Sequence, residues 1–129
     1  MDRSIYISLS GAIAQEKKLE ILTESLANIS TPGFKKQKAV FEAALPDFRG
    51  PRAFVKTSAV VTDLSQGLMQ NTGRNLDVAI TGKGFFVVST ANGLRYTRDG
   101  SFTLGPGNRL TTGEGFEIMG ENGPIRLAS

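Results

Sequence analysis

The two side chains most versatile in chemistry are missing from this chain. Its 129 residues include no cysteine and no histidine. Thiolate nucleophiles, disulfides, Cys/His zinc sites and histidine acid–base catalysis are therefore excluded. No serine has an imidazole to activate it, and one sequence does not mark a Ser–Lys pair. Carboxylates remain as acid–base candidates. Asp77 and Asp99 stand in turn-rich surroundings near Arg74 and Arg98, where an ion pair or a turn hydrogen bond is the expected job. No two carboxylates stand out as a converging pair of the kind that cleaves a glycosidic bond. Neither a cofactor nor a metal is expected.

Two lysine-bearing segments call for a decision. Thr81-Gly82-Lys83-Gly84 has the glycines and the lysine of a phosphate cradle, but that cradle needs a longer spacing and a helix directly after it. A β-type run, Phe85-Phe86-Val87-Val88, follows instead, so a tight turn is expected. Lys35, Lys36 and Lys38 lie beside Phe34, Val40 and Phe41. Charge for phosphates and rings for stacking make a basic nucleic-acid-binding module the alternative reading. A solvated strand edge or helix exit is preferred, because a net charge of +3 is no electrostatic footprint by itself.

With little chemistry to position, the elements themselves carry the information. Apolar residues at Ile5, Leu9, Ala12, Ile13, Leu19, Leu22, Leu26 and Ile29 recur mostly every three or four positions. Such spacing makes one face of an α-helix. The predicted helix runs from about Asp2 to Ile29, with Asp2 or Ser4 as its cap. About 27 residues would extend roughly 40 Å. Ile5, Ala12, Leu19 and Leu26 fall seven apart, as in helices that pack side by side, although Glu16 and Thr23 weaken the seam. Gly11, Ala12 and Ala14 would let a neighbouring helix approach closely. Ser30-Thr31-Pro32-Gly33 ends the helix: proline restrains Thr31 to extended backbone, and Gly33 permits a positive φ. No second helical stripe follows, so the apolar face is expected to point to other chains, the alternative being a core helix packed on the β region behind it.

The remainder divides in two. From 31 to 66 no clean period emerges, and an extended linker or arm is expected, with a loop at Asp47 to Arg52 and a weak strand at Phe54 to Val61. From 67 to 129 short strands alternate with turn signals. These are Leu76–Ile80, Phe85–Val88, Leu94–Thr97, Ser101–Leu104, Arg109–Thr112, Phe116–Met119 and Ile125–Leu127. Asp99-Gly100 carries a hairpin signal, because a type I′ turn needs positive φ at both positions. The fold class is α+β: a long N-terminal amphipathic helix (1–30), an extended arm (31–66) and a mainly antiparallel β region (67–129). Forty per cent hydrophobic and 21% charged residues suit a folded chain rather than a disordered one. Gln15, Glu16, Lys17 and Lys18 interrupt the apolar stripe, so neither a secretory leader nor a membrane-inserted segment is expected.

Leu26-Ala27-Asn28-Ile29-Ser30-Thr31-Pro32-Gly33-Phe34-Lys35 resembles the N-terminal signature of bacterial flagellar rod and hook proteins. The form is Leu-Ala-Asn, two variable residues, Thr-Pro-Gly, an aromatic and a basic residue. A second block is similar to the β-rich stretch of the same family. It includes Gly67-Leu68, Thr72-Gly73-Arg74-Asn75-Leu76-Asp77-Val78-Ala79-Ile80, Gly84-Phe85-Phe86-Val87-Val88 and Tyr96-Thr97-Arg98-Asp99-Gly100-Ser101-Phe102. The Ile5-Tyr6 and Ser10-Gly11-Ala12 start looks closer to the proximal-rod branch. What the resemblance implies is a non-enzymatic structural subunit of the periplasm-spanning basal-body rod. Its partners would be other rod subunits and the flagellar type III export apparatus, through which family members pass uncleaved. The stripe from Ile5 to Ile29 would be the subunit interface, and Leu26, Ala27, Asn28, Thr31, Pro32, Gly33, Phe34 and Lys35 the family motif. Members are usually about twice this length and end in a second amphipathic helix. The chain therefore resembles their N-terminal half, and the missing helix is the expected partner of the stripe.

Overall fold

The computed structural model describes residues 2–44 and 53–128. The chain forms two compact units, one of residues 1–30 with 35–64, the other of residues 31–34 with 65–129.

The first unit is built on α1, Asp2–Ala27. Ala, Leu, Glu, Gln and Lys make up half of it and suit a helix by propensity. Its mid-helix hydroxyls are satisfied locally: Ser10 Oγ donates to the Ile7 carbonyl at 2.8 Å, and Thr23 Oγ1 to the Leu19 carbonyl at 2.8 Å. Within the segment 31–66, where a weak strand was expected at Phe54 to Val61, the chain holds a two-stranded antiparallel ribbon. Strand β1 (Gln37–Ala44) pairs β2 (Phe54–Thr62) from Gln37↔Thr62 to Ala44↔Phe54. Between Val40↔Ala59 and Phe41↔Thr57 the register slips by one, leaving Ser58 as a bulge. The slip interrupts the alternation within β2. The predicted loop at Asp47 to Arg52 lies outside the described residues.

Helix α1 packs on both strands, and Val55 N–H donates to Ser10 Oγ at 3.3 Å. A two-stranded ribbon is marginal alone, so this helix face is what gives it a hydrophobic support. Ala14 and Ile21 are buried there. With Ile7 and Asn28, half-buried, they form a row seven residues apart. The row begins two positions beyond Ile5, about 200° around the helix.

The second unit contains β3 (Phe86–Thr90), β4 (Gly93–Thr97), β5 (Phe102–Gly105), β6 (Arg109–Thr112), β7 (Glu117–Gly120) and β8 (Gly123–Pro124). Its antiparallel sheet runs β4-β3-β7-β6-β5, and β8 pairs β7. Val88, Phe102, Leu110 and Ile118 are the buried core, flanked by Leu76, Phe86, Phe116 and Ile125. The Phe86 and Phe102 rings meet edge-to-face at 5.0 Å. Arg109–Thr112 spans the strand expected from sequence, whereas Leu76–Ile80 makes only the isolated Asp77↔Ser101 bridge.

The Asp99-Gly100 hairpin is a correction. Strands β4 and β5 lie at opposite ends of the sheet, so this dipeptide crosses over rather than turns back, and Gly100 has no positive φ. Its glycine has another cause. A Cβ on Gly100 would collide with the Val78 carbonyl oxygen and sit 2.7 Å from that carbonyl carbon. The close approach allows Val78 N–H to donate to the Gly100 carbonyl at 3.0 Å. Among the described residues no helix is long and apolar enough to cross a membrane.

Candidate assembly surface and helix exit

Seven of the eight stripe residues are large apolar side chains, and all of them are more than half exposed. They are Ile5, Leu9, Ile13, Leu19, Leu22, Leu26 and Ile29, the last at 78%. Ala12 is exposed as well. Those from Ile5 to Leu26 form an open face of α1, opposite the row of Ala14 and Ile21 that the ribbon covers. Ile29 lies two residues past the helix end at Ala27, not within the helix as expected. Near the helix start, Ser4, Ile5, Ser8, Leu9 and Ala12 line a shallow apolar groove. Spacing alone gave no means of ranking the buried row against the open stripe, because Ile7, Ala14 and Ile21 recur as regularly as Ile5, Ala12 and Leu19.

The motif begins where this helix ends. Leu26 and Ala27 are exposed. The Asn28 backbone N–H and its Nδ2 both donate to the Glu24 carbonyl, at 3.1 and 3.0 Å. One of the carbonyls left over at a helix C-terminus is thus doubly satisfied by a single residue.

Residues 31–34 belong to the second unit. They close a β-turn, Phe34 N–H to the Thr31 carbonyl at 3.4 Å, with Pro32 second and Gly33 third. A positive φ at the third position selects glycine, and Gly33 has φ +68°. Contact adds a second reason. A Cβ on Gly33 would overlap the Asp99 amide nitrogen, 2.6 Å from the Arg98 carbonyl carbon and 2.9 Å from Asp99 Cα. The motif glycine therefore rests on the Arg98–Asp99 peptide, a partner no local signal disclosed.

Arg98 holds that platform in place. Its guanidinium donates to the Ile80 carbonyl at 3.0 Å and to the Gly82 carbonyl. It also lies 5.5 Å from the centre of the Phe85 ring. Gly82 N–H donates to Gln66 Oε1 at 3.1 Å. The Thr81-Gly82-Lys83-Gly84 segment is thus a pinned turn, with positive φ at both glycines. Asp99 acts as a turn acceptor: its Oδ1 takes Ser101 N–H at 3.0 Å, while its own N–H donates to Thr97 Oγ1 at 3.1 Å. Asp77 accepts from Thr72 Oγ1 at 2.6 Å and pairs with Arg74 at 3.4 Å. Both carboxylates hold loops.

The lysine cluster is likewise structural. Lys38 Nζ lies 3.0 Å and Lys36 Nζ 3.5 Å from Asp63 Oδ2, whose side chain is almost wholly buried. Asp63 N–H also donates to the Lys36 carbonyl at 2.8 Å. Two of the three lysines that suggested phosphate binding are spent on closing the open end of the ribbon. Lys35 is half-buried.

A helix seated on a β-ribbon, a capped exit and a glycine-rich antiparallel sheet define an α+β protein with its signature at the helix exit. Residues 79–127 match the model described as flagellar hook protein FlgE/F/G D1 domain, and residues 5–35 that described as flagella basal body rod protein. The chain is 37% identical to flagellar basal-body rod protein FlgF of Caulobacter vibrioides, over 95% of its own length and 53% of the relative. It is also 37% identical to FlgG of Buchnera aphidicola, over 92% and 52%, and 36% identical to FlgF of Salmonella typhimurium, over 98% and 51%. Over nearly its whole length the chain is similar to flagellar basal-body rod proteins, and it spans about half the length of these relatives.

Proposed function

We propose that this chain works as a structural subunit of the bacterial flagellar basal-body rod, assembling through α1 into the axial shaft. One observation carries the reading: the face lined by Ile5, Leu9, Ile13, Leu19, Leu22, Leu26 and Ile29 is open to solvent, while the opposite face is occupied by the chain's own ribbon. Burial of large apolar side chains contributes about 1.5–3 kcal/mol each when complete. Covering seven half-exposed ones with neighbouring helices would supply a driving force for stacking. Large exposed apolar patches mark such interaction surfaces. Other rod subunits are the partners in this reading, and passage through the flagellar type III apparatus as an uncleaved chain is the route. The Ile5-Tyr6 and Ser10-Gly11-Ala12 start supports the proximal branch, although relatives of both FlgF and FlgG type match at similar identity.

The test places Leu9→Glu and Leu22→Glu together in the natural gene and introduces it into cells lacking their own copy. Expected are a folded chain by circular dichroism, no rods in isolated basal bodies and no swarming on soft agar. Lys18→Ala, on an exposed polar position, should swarm normally. Intact rods with both glutamates in place would refute the interface.

A further inference from the structure

Strand β4 is the end strand of its sheet, and its geometry defines what can join it. It turns from β3 through Ala91-Asn92, with Thr90↔Gly93 as the closing pair. A two-residue hairpin closes on a hydrogen-bonded pair, and bonded and non-bonded pairs then alternate. Val88↔Arg95 and Phe86↔Thr97 are therefore bonded, and Ser89↔Leu94 and Val87↔Tyr96 are not. The N–H and C=O groups of Leu94 and Tyr96 consequently face away from β3. Among the described residues no strand or loop backbone pairs with them.

The side chains narrow the choice further. Leu94 and Tyr96 are 56% and 63% exposed and share one face. By register, Tyr96 continues into an apolar row with Val87, Met119 and Pro124. On the other face, at the rim beside Val88, stands Arg95. From Val78 to Arg98 the chain carries Lys83, Arg95 and Arg98 and not one acidic residue. Two copies joined edge to edge, with Leu94 opposite Tyr96, would set Arg95 directly against Arg95. Like charges facing across a sheet are destabilising, and a charge at an edge guards against self-pairing.

We infer that the β4 edge receives an extended acidic segment of a partner chain as an added strand. Leu94 and Tyr96 backbone groups supply the hydrogen bonds, their side chains the apolar contact, and Arg95 the preference for a carboxylate.

The probe is a capped peptide, TVEVEVT, compared with TVKVKVT, titrated into the isotope-labelled 129-residue chain by NMR. The acidic peptide should bind at least about fivefold tighter and slow hydrogen exchange at the Leu94 and Tyr96 amides. Arg95→Gln should abolish the preference and Arg95→Glu should invert it, with the Phe102 and Leu110 signals unmoved as evidence of an intact core. Equal affinity of the two peptides, protection elsewhere than Leu94 and Tyr96, or self-association through β4 in place of peptide binding would each overturn the proposal.

Discussion

Gly33 lies flat against the amide of Asp99, so closely that a methyl group on Gly33 would overlap the Asp99 nitrogen. A residue of the helix-exit motif is thus packed on the crossover between β4 and β5, more than sixty positions later in the chain. Two constraints coincide at Gly33, a positive φ and a close approach, and both exclude a side chain.

Gly33→Ala is accordingly expected to cost more than the roughly 1 kcal/mol of a positive φ alone, and about 2–3 kcal/mol in all. Urea unfolding monitored by circular dichroism gives the figure. A loss under about 1 kcal/mol would show that the turn lifts off Asp99 without consequence.

Gly100 and Gly93 form a matched pair. Gly93 has φ +102° with open space around it, whereas Gly100 has ordinary φ but faces the Val78 carbonyl. Gly100→Ala should destabilise by about 3 kcal/mol or more through overpacking, and Gly93→Ala by about 1 kcal/mol. Thermal melts of the two variants would rank them, and the reverse order would contradict the crossover geometry.

Core and stripe should separate cleanly. Phe102 is 2% exposed and in edge-to-face contact with Phe86, and Phe102→Ala should cost about 3–5 kcal/mol of stability. Leu9→Ala and Leu22→Ala, at open positions, should stay within about 0.5 kcal/mol of the parent. Equilibrium denaturation distinguishes them. Stripe variants as unstable as Phe102→Ala would mean that the helix face is covered within its own chain.

Asp63 holds Lys36 and Lys38 at the mouth of the β1–β2 ribbon. Asp63→Asn should weaken the ribbon by about 1–3 kcal/mol, since a nearly buried carboxylate with charged partners is lost. Hydrogen exchange at Gln37 to Val40 should accelerate while Ile118 in the other unit is unaffected. Unchanged exchange in β1 would assign the ion pairs no structural weight.

How far the chain was legible follows from which signals are local. Helix α1 announced itself through period and composition, and its end through Pro32 and Gly33. Strand Arg109–Thr112 was bounded by turn residues on both sides. Within residues 37–62 the strand at Phe54 to Val61 was foreseen, whereas β1 and the pairing were not, because a paired strand is recognised only with its partner. Asp99-Gly100 misled for a related reason: the dipeptide fits a type I′ turn, but the glycine serves contact with Val78. At the candidate site the stripe residues were visible as a set, and Arg98 stood in a family block without its grip on the Ile80 and Gly82 carbonyls being legible, whereas Asp63, which fastens the ribbon, carried no motif.

By itself, then, the sequence determined the helix to within two residues of its end, the stripe as one candidate face, the turn at residues 31–34 and a β-rich second half. Each depends on backbone preferences and side-chain period within a few neighbours. Tertiary structure alone decided that the row of Ile7, Ala14 and Ile21 is the face the ribbon covers, that β4 and β5 part to opposite edges, and that Gly33 rests on Asp99. Those outcomes depend on which distant surfaces fill one another's space, and a period within one segment does not say which remote segment will cover it.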